Sequence, residues 1–205
     1  MLSFLSSIIN WILSLINDLG YLGIFLGMTL ESSFIPFPSE IILIPAGALI
    51  YQGEMNFFLV FFSGLLGSLV GASINYFIAF FLGRTAVDLL LDKYGGFLFL
   101  TKAKLQKADK YFENYGEITT FVGRLIFVVR QLISLPAGFA RMNFKKFILY
   151  TALGAAIWTI ILILMGYFLG NTDISSAMKI ITALLIGISA LIVIIYKKLK
   201  RKSSN

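Results

Sequence analysis

The chain has 205 residues, 59% of them hydrophobic and 13% charged, against roughly half apolar and a quarter charged in a soluble domain, so too few polar residues remain to cover a water-soluble core and lipid is the simpler solvent. With no cysteine and no histidine, the chain excludes disulfides, zinc or iron sites built on those ligands, and Ser-His-Asp, Cys-His or phosphohistidine chemistry. The net charge of +7 sits in loops and at the C-terminus between apolar runs, which is the positive-inside arrangement and not a nucleic-acid surface.

Residues 1–17 are apolar with interspersed Ser and Asn, and lack the basic n-region and A-x-A-like site of a signal peptide. They read as an interfacial helix. The stretch from Tyr21 to Leu49 is apolar but carries Glu31, Pro36, Pro38, Glu40 and Pro45. Three residues without an amide donor cannot share one straight helix, and irregular backbone at membrane depth survives only where protein or an aqueous cavity shields it. A re-entrant hairpin over about 21–50 is therefore expected, shaped by those prolines. Residues 56–83 form an uninterrupted apolar run, longer than the roughly 20 residues that cross a bilayer. Its Gly64, Gly67 and Gly71 make a smooth stripe for close helix packing, and a homodimer is compatible with such a stripe on base rates.

Residues 85–116 are the only soluble-looking stretch. Thr101 caps an expected surface helix over about 101–115, with Leu105, Ala108 and Phe112 on one face and Gly116 ending it. A second broken segment, 117–142, holds Arg124, Arg130, Pro136, Gly138 and Arg141, and reads as a second re-entrant hairpin. Spans over 147–170 and 178–196 follow, then a basic tail, 197–205. Asn75 and Trp158, on spanning helices, read as packing or interface residues.

Two units resemble each other. Ile44-Pro45-Ala46-Gly47 recurs as Leu135-Pro136-Ala137-Gly138. Leu66-Gly67 and Phe81-Leu82-Gly83 recur as Leu153-Gly154 and Phe168-Leu169-Gly170 with the same internal spacing. Each unit is a broken hairpin followed by a span, and a single crossing between the hairpins makes the second unit inverted. The expected fold is an all-α membrane protein of two inverted repeats, each a re-entrant hairpin plus a transmembrane helix, with an extra C-terminal transmembrane helix. Inverted repeats with broken helices are a transporter signature. The basic residues fall on one side, which places the C-terminus in the cytoplasm and the N-terminus outside.

Charge at bilayer depth is expensive, about 2.5–3.5 kcal/mol per residue on the insertion scale. Glu31 and Glu40 bracket the prolines of the first hairpin, and Arg124 and Arg130 lie in the second. If the tips meet, two carboxylates face two guanidiniums. A guanidinium is a planar fork suited to phosphate, and a carboxylate in this setting can carry a proton. Arg124 and Arg130 are the candidate phosphate ligands, Glu31 and Glu40 the candidate proton carriers. The same four residues would also serve as ion pairs stitching the hairpins together. Arg141 falls where the second hairpin exits and is a candidate headgroup contact. No nucleophile–base pair is discernible, so no enzyme, cofactor or metal is expected.

These residues carry a resemblance to the DedA family of bacterial membrane proteins, related to the VTT-domain proteins of eukaryotes. It covers roughly 18–170 and rests on E-x4-P-x-P-x-E (Glu31, Pro36, Pro38, Glu40) and G-R-x5-R-x5-P-A-G-x-A-R-M (Gly123 through Met142). The resemblance implies opposed re-entrant hairpins, lipid translocation, dependence on proton motive force, and a place in the bacterial plasma membrane. Members of the family are implicated in returning undecaprenyl phosphate to the cytoplasmic leaflet, and others resemble phospholipid scramblases. The family's charged positions carry over to Glu31, Glu40, Arg124 and Arg130. Many members have Asp in a G-D-[ST] context where this chain has Glu40 after Ser39. Three readings follow: a proton-coupled undecaprenyl phosphate flippase, a phospholipid scramblase, and a proton-coupled transporter of small ions or cations. The expected partners are a membrane lipid and protons, with no nucleic acid.

Overall fold

Helix is the only regular structure among the described residues, as apolar runs without alternation require. A computed structural model describes residues 18–33, 38–98, 102–126 and 129–169, with the isolated positions Ser14 and Gly187, and gives only the backbone of 84–98, 102–111 and 113. Seven helices result: α1 (Tyr21–Ser32), α2 (Glu40–Tyr51), α3 (Phe57–Leu98), α4 (Lys102–Leu125), α5 (Val129–Leu132), α6 (Ser134–Phe139) and α7 (Phe144–Phe168). The interfacial helix expected over 1–17, the span over 178–196, the basic tail, Pro36 and Thr101 lie outside the described residues.

Phe57–Gly83 and Phe144–Phe168 are long and apolar enough to cross a membrane. Their outward faces carry exposed Phe58, Phe62, Leu66 and Phe77 on α3, and Leu149, Leu153, Ile157 and Phe168 on α7, as a lipid-facing surface should. At Gly83 the backbone swings to φ 67 and ψ 178, then helix resumes to Leu98. That second stretch was not anticipated by the sequence reading. Gly116 was expected to end the surface helix. The break falls one residue earlier, at Tyr115 (φ −133, ψ 21), and helix resumes to Leu125.

The first broken segment divides into α1 and α2. Helix α1 runs parallel to α3, since Gly67 abuts the Phe25 carbonyl and Gly71 the Thr29 carbonyl. Helix α2 runs parallel to α7, with Ser39 beside Trp158 and Gly47 against Ile163 and Gly166. Helices α3 and α7 are antiparallel, because Gly64 meets Thr159 and Tyr76 stacks on Phe147. Helices α1 and α2 therefore run antiparallel to each other. At their open end the Tyr21 hydroxyl accepts from the Asn56 amide at 2.9 Å, while the end of α1 touches Ser68, partway along α3. Pro45 does not break the chain. It lies inside α2, and the interruption is at 33–39, where Pro38 sits. The second broken segment falls into three pieces, the end of α4, α5 and α6, with Pro136 in the first turn of α6, where a missing amide is tolerated.

Contacts in the two halves recur at constant intervals. Gly67 meets the Phe25 carbonyl and Met28; Gly154 meets the Phe121 carbonyl and Arg124. Gly27 packs on Ile42, and Gly123 on Ile133. Gly47 is pressed on the Ile163 carbonyl, and Gly138 on the Tyr76 carbonyl. Ile163 stands as far from Tyr76 in sequence as Gly154 does from Gly67. Each long helix thus packs the first arm beside it in sequence and the second arm of the other half.

A methyl group at Gly47 or Gly138 would run into a backbone carbonyl that cannot swing away. Gly47→Ala and Gly138→Ala should each destabilise the detergent-purified protein by about 1–3 kcal/mol in thermal unfolding. Gly64→Ala, whose added methyl meets only the side-chain methyls of Leu43 and Thr159 at 3.2 and 3.3 Å, should cost less. Equal losses at all three would refute the close-approach account.

Candidate functional site

Along α3 the buried apolar clusters leave a gap. Val60 belongs to one with Met28, Leu43 and Leu162, and Ala72 and Tyr76 to the other with Ile133 and Phe147. Ser68 lies between them, and there the polar groups collect. Glu31, Glu40, Arg124 and Arg130 are all buried, none more than 6% exposed.

Arg130 is the hub. It stands on α5, a single turn, so its position is set by what holds its guanidinium. Nη2 donates to Glu31 Oε1 in a buried ion pair and to Ser39 Oγ at 2.7 Å. The guanidinium carbon lies 5.0 Å from the centre of the Trp158 ring, within cation–π range. Trp158 Nε1 in turn donates to Ser39 Oγ at 3.4 Å. Glu31 also accepts from Ser32 Oγ at 2.8 Å and from Gln131 Nε2 at 3.2 Å. Trp158, read from sequence as packing, is therefore part of the site.

The expected meeting of two carboxylates with two guanidiniums is half realised. Arg124 Nη2 donates to Ser134 Oγ at 2.9 Å, and its Cβ packs on Gly154. Glu40 is buried at the first turn of α2, yet neither of its carboxyl oxygens has a hydrogen-bond partner among the described residues. The space between the groups is closed to about 10 Å³, lined by Met28, Ser68, Arg124, Arg130, Trp158 and Thr159 among others. That is about the room for one water.

Asn75 was also read as packing, and it closes the break. Its Nδ2 donates to the carbonyls of Ser32 at 3.1 Å and Ser33 at 2.7 Å, two of the carbonyls that the end of α1 leaves without helical partners. Ser32 Oγ shares a 3.0 Å hydrogen bond with Ser68 Oγ. These residues had weak signals in the sequence: serines flank both glutamates, and Ser134 follows Arg130 by one helical turn. Arg141 lies apart from this cluster, exposed, its guanidinium carbon 5.4 Å from the centre of the Phe80 ring. Among the described residues no group of three acidic side chains could hold a metal.

Removing one partner of a buried ion pair leaves an uncompensated charge, at about 3–5 kcal/mol. Arg130→Gln should therefore lower stability by about that much, and Glu31→Gln with Arg130→Gln together by clearly less than the sum of the two single changes. A double-mutant cycle by denaturation in detergent measures the coupling; additivity would mean that the two side chains do not pair.

Comparison with known proteins gives the chain its relatives. The family model described as the VTT domain matches residues 37–168. The chain is similar to undecaprenyl phosphate transporter A of Bacillus subtilis, 31% identical over 98% of both chains. It is 32% identical, over 77% of both chains, to undecaprenyl phosphate transporter A of Staphylococcus aureus. It is also similar to a protein of Lactococcus lactis named alkaline phosphatase-like protein, 32% identical over 95% of both. No solved structure matches it.

Proposed function

The chain belongs to the VTT-domain family, as its resemblance to DedA proteins implied, and from that premise we propose that it is a membrane transporter that moves undecaprenyl phosphate across the bacterial plasma membrane with the help of protons. Two similar proteins carry that lipid in their names. The observation that carries the reading is a guanidinium at the centre of the bundle, reached by an anion that the protein supplies itself, the Glu31 carboxylate on Arg130. A phosphate monoester is the ligand class that makes the same charge-assisted contacts with a guanidinium, and Arg124 stands in the lining of the same small space.

In this reading α1–α2 and the end of α4 with α5 and α6 are re-entrant hairpins, opposed and related as inverted repeats, with the N-terminus outside and the C-terminus in the cytoplasm. The recurring glycine contacts support that arrangement. The closed space represents the resting state. A phosphate entering between the tips displaces Glu31 from Arg130 and is held by Arg130 and Arg124, while the isoprenoid chain stays in lipid against the apolar outer faces. Two carboxylates then lack cationic partners, and a proton is the smallest partner each can take. Glu40, with both oxygens unpartnered, is the first acceptor, and Glu31 the group that titrates with the cargo. Departure of the phosphate returns Glu31 to the guanidinium. Glu40 in place of the family's usual Asp reaches one methylene further toward the same centre.

Liposomes loaded with labelled undecaprenyl phosphate test this. Wild type should equilibrate the lipid between leaflets faster under a proton gradient, Arg130→Ala should lose at least about tenfold in rate, a loss of the size expected for a charge-assisted contact, and Glu40→Gln should move the lipid without responding to the gradient. Equal flipping by wild type and Arg130→Ala would sink the mechanism. Flipping of ordinary phospholipid at the same rate, indifferent to pH, would favour a scramblase.

A further inference from the structure

The second hairpin leaves the bundle through the turn between α6 and α7. There the Arg141 amide donates to the Gly138 carbonyl at 3.0 Å and the Met142 amide to the Ala137 carbonyl at 3.1 Å. This paired C-terminal cap needs one left-handed residue, which glycine usually supplies. The end of α2 closes by the same pattern, with Gly53 bonded to Ile50 at 3.1 Å and Glu54 to Leu49 at 2.9 Å, and there the left-handed residue is Gly53, at φ 79. At the end of α6 it is Arg141, at φ 49, the sole non-glycine with positive φ among the described residues. A side chain with a Cβ is strained in that conformation. Strain of this kind persists where a function holds it.

The surroundings say what the guanidinium faces. Between the kink of α4 and this turn lies a cavity of about 450 Å³, lined by Arg141, Lys146, Asn143, Glu117, Asn114 and Tyr115 among others. Lys146 Nζ pairs with Glu117 at 2.5 Å, which neutralises the acid and leaves Arg141 as the one unpaired cation among the cavity's described lining residues. No described carboxylate pairs with Arg141. The Tyr76 hydroxyl donates to the Met142 carbonyl, and Phe80 lies under the guanidinium, so both backbone and side chain are braced. The cavity stands about two helical turns from the central site along α4. Glu117 and Arg124 are two turns apart on α4, about 10 Å at 1.5 Å per residue. The fully buried hydroxyls of Thr120 on α4 and Thr151 on α7 lie between these levels.

We infer that this cavity is a second phosphate station, in which Arg141 binds a phosphate monoester before it reaches, or after it leaves, Arg124. The inference rests on the transport reading for what carries the phosphate, a lipid head or the free ion, and not for the site itself.

The protein bearing Arg130→Gln together with Glu31→Gln, which removes the central ion pair and leaves Arg124 as the one central guanidinium, is titrated in detergent with inorganic phosphate and separately with mixed micelles containing polyprenyl phosphate, by calorimetry. Arg141→Gly added to it should raise the melting temperature, since it relieves the left-handed strain, and should weaken binding about tenfold or more, the loss of a charge-assisted contact. Arg141→Gln should weaken binding equally with no gain in melting temperature. Tighter binding of the micelles than of free phosphate assigns the station to the lipid head, and equal binding assigns it to the ion. The inference is overturned if Arg141→Gln binds both probes like its parent, or if the parent binds neither. If Arg141→Gly brings no rise in melting temperature the strain argument falls, and the Arg141→Gln titration alone decides. Binding that does not depend on Arg141 strikes this inference, whereas Arg130-independent flipping in liposomes strikes the transport reading.

Discussion

A guanidinium buried at the centre of an apolar bundle has to be held by something, and around Arg130 nearly every local feature can be traced to that need. The residue stands on a single turn of helix, too short to fix it. Its place is set by Glu31 at the end of α1, Ser39 at the start of α2 and the Trp158 ring on α7. One side chain ties together three elements that no backbone ladder joins. The break in the first segment is what lets Glu31 and Ser39 reach it from the same tip. Breaking an apolar helix exposes carbonyls, which Asn75 on α3 answers, while Ser68 bonds the Ser32 hydroxyl at the same level. The pair and the break are a single solution, since each supplies what the other lacks.

Close approach makes this geometry firm. Where helices are pressed backbone to backbone, as at Gly47 on Ile163 and Gly138 on Tyr76, the arms that carry Glu40 and Ser134 have no freedom to slide. The aromatic stack of Tyr76, Phe144 and Phe147 does the same around Tyr76 on α3. The polar centre is small because the packing around it is tight, and any cargo has to displace protein groups in order to enter.

Much of this was legible in the residues. Composition indicated lipid, the prolines near Glu40 marked a break, and the glycine stripe marked a packing face. The two glutamates and two arginines identified themselves by the cost of their burial. What stayed hidden depended on direction. Trp158 and Asn75 are ordinary residues of an apolar helix, and only the side they face makes one a lid on Arg130 and the other a cap for α1. Which glutamate would find a cation was equally invisible: Glu31 and Glu40 look alike in sequence, and the helix positions decide that one pairs and the other does not. The helical stretch from Arg84 to Leu98 was missed because its charges and glycines marked only a soluble-looking stretch. Pro45 lies inside α2, and a proline in an apolar helix gives no sign of whether the chain breaks there or runs on.

The crossed packing of the arms has a consequence for how the protein is made. Helix α1 finds α3 soon after both have left the ribosome. Helix α2, which brings Glu40, rests on α7, a helix that is synthesised after everything else in the site. Until α7 arrives, α2 lacks the helix it rests on. The site is complete only when α7, the last of its walls in chain order, has been made.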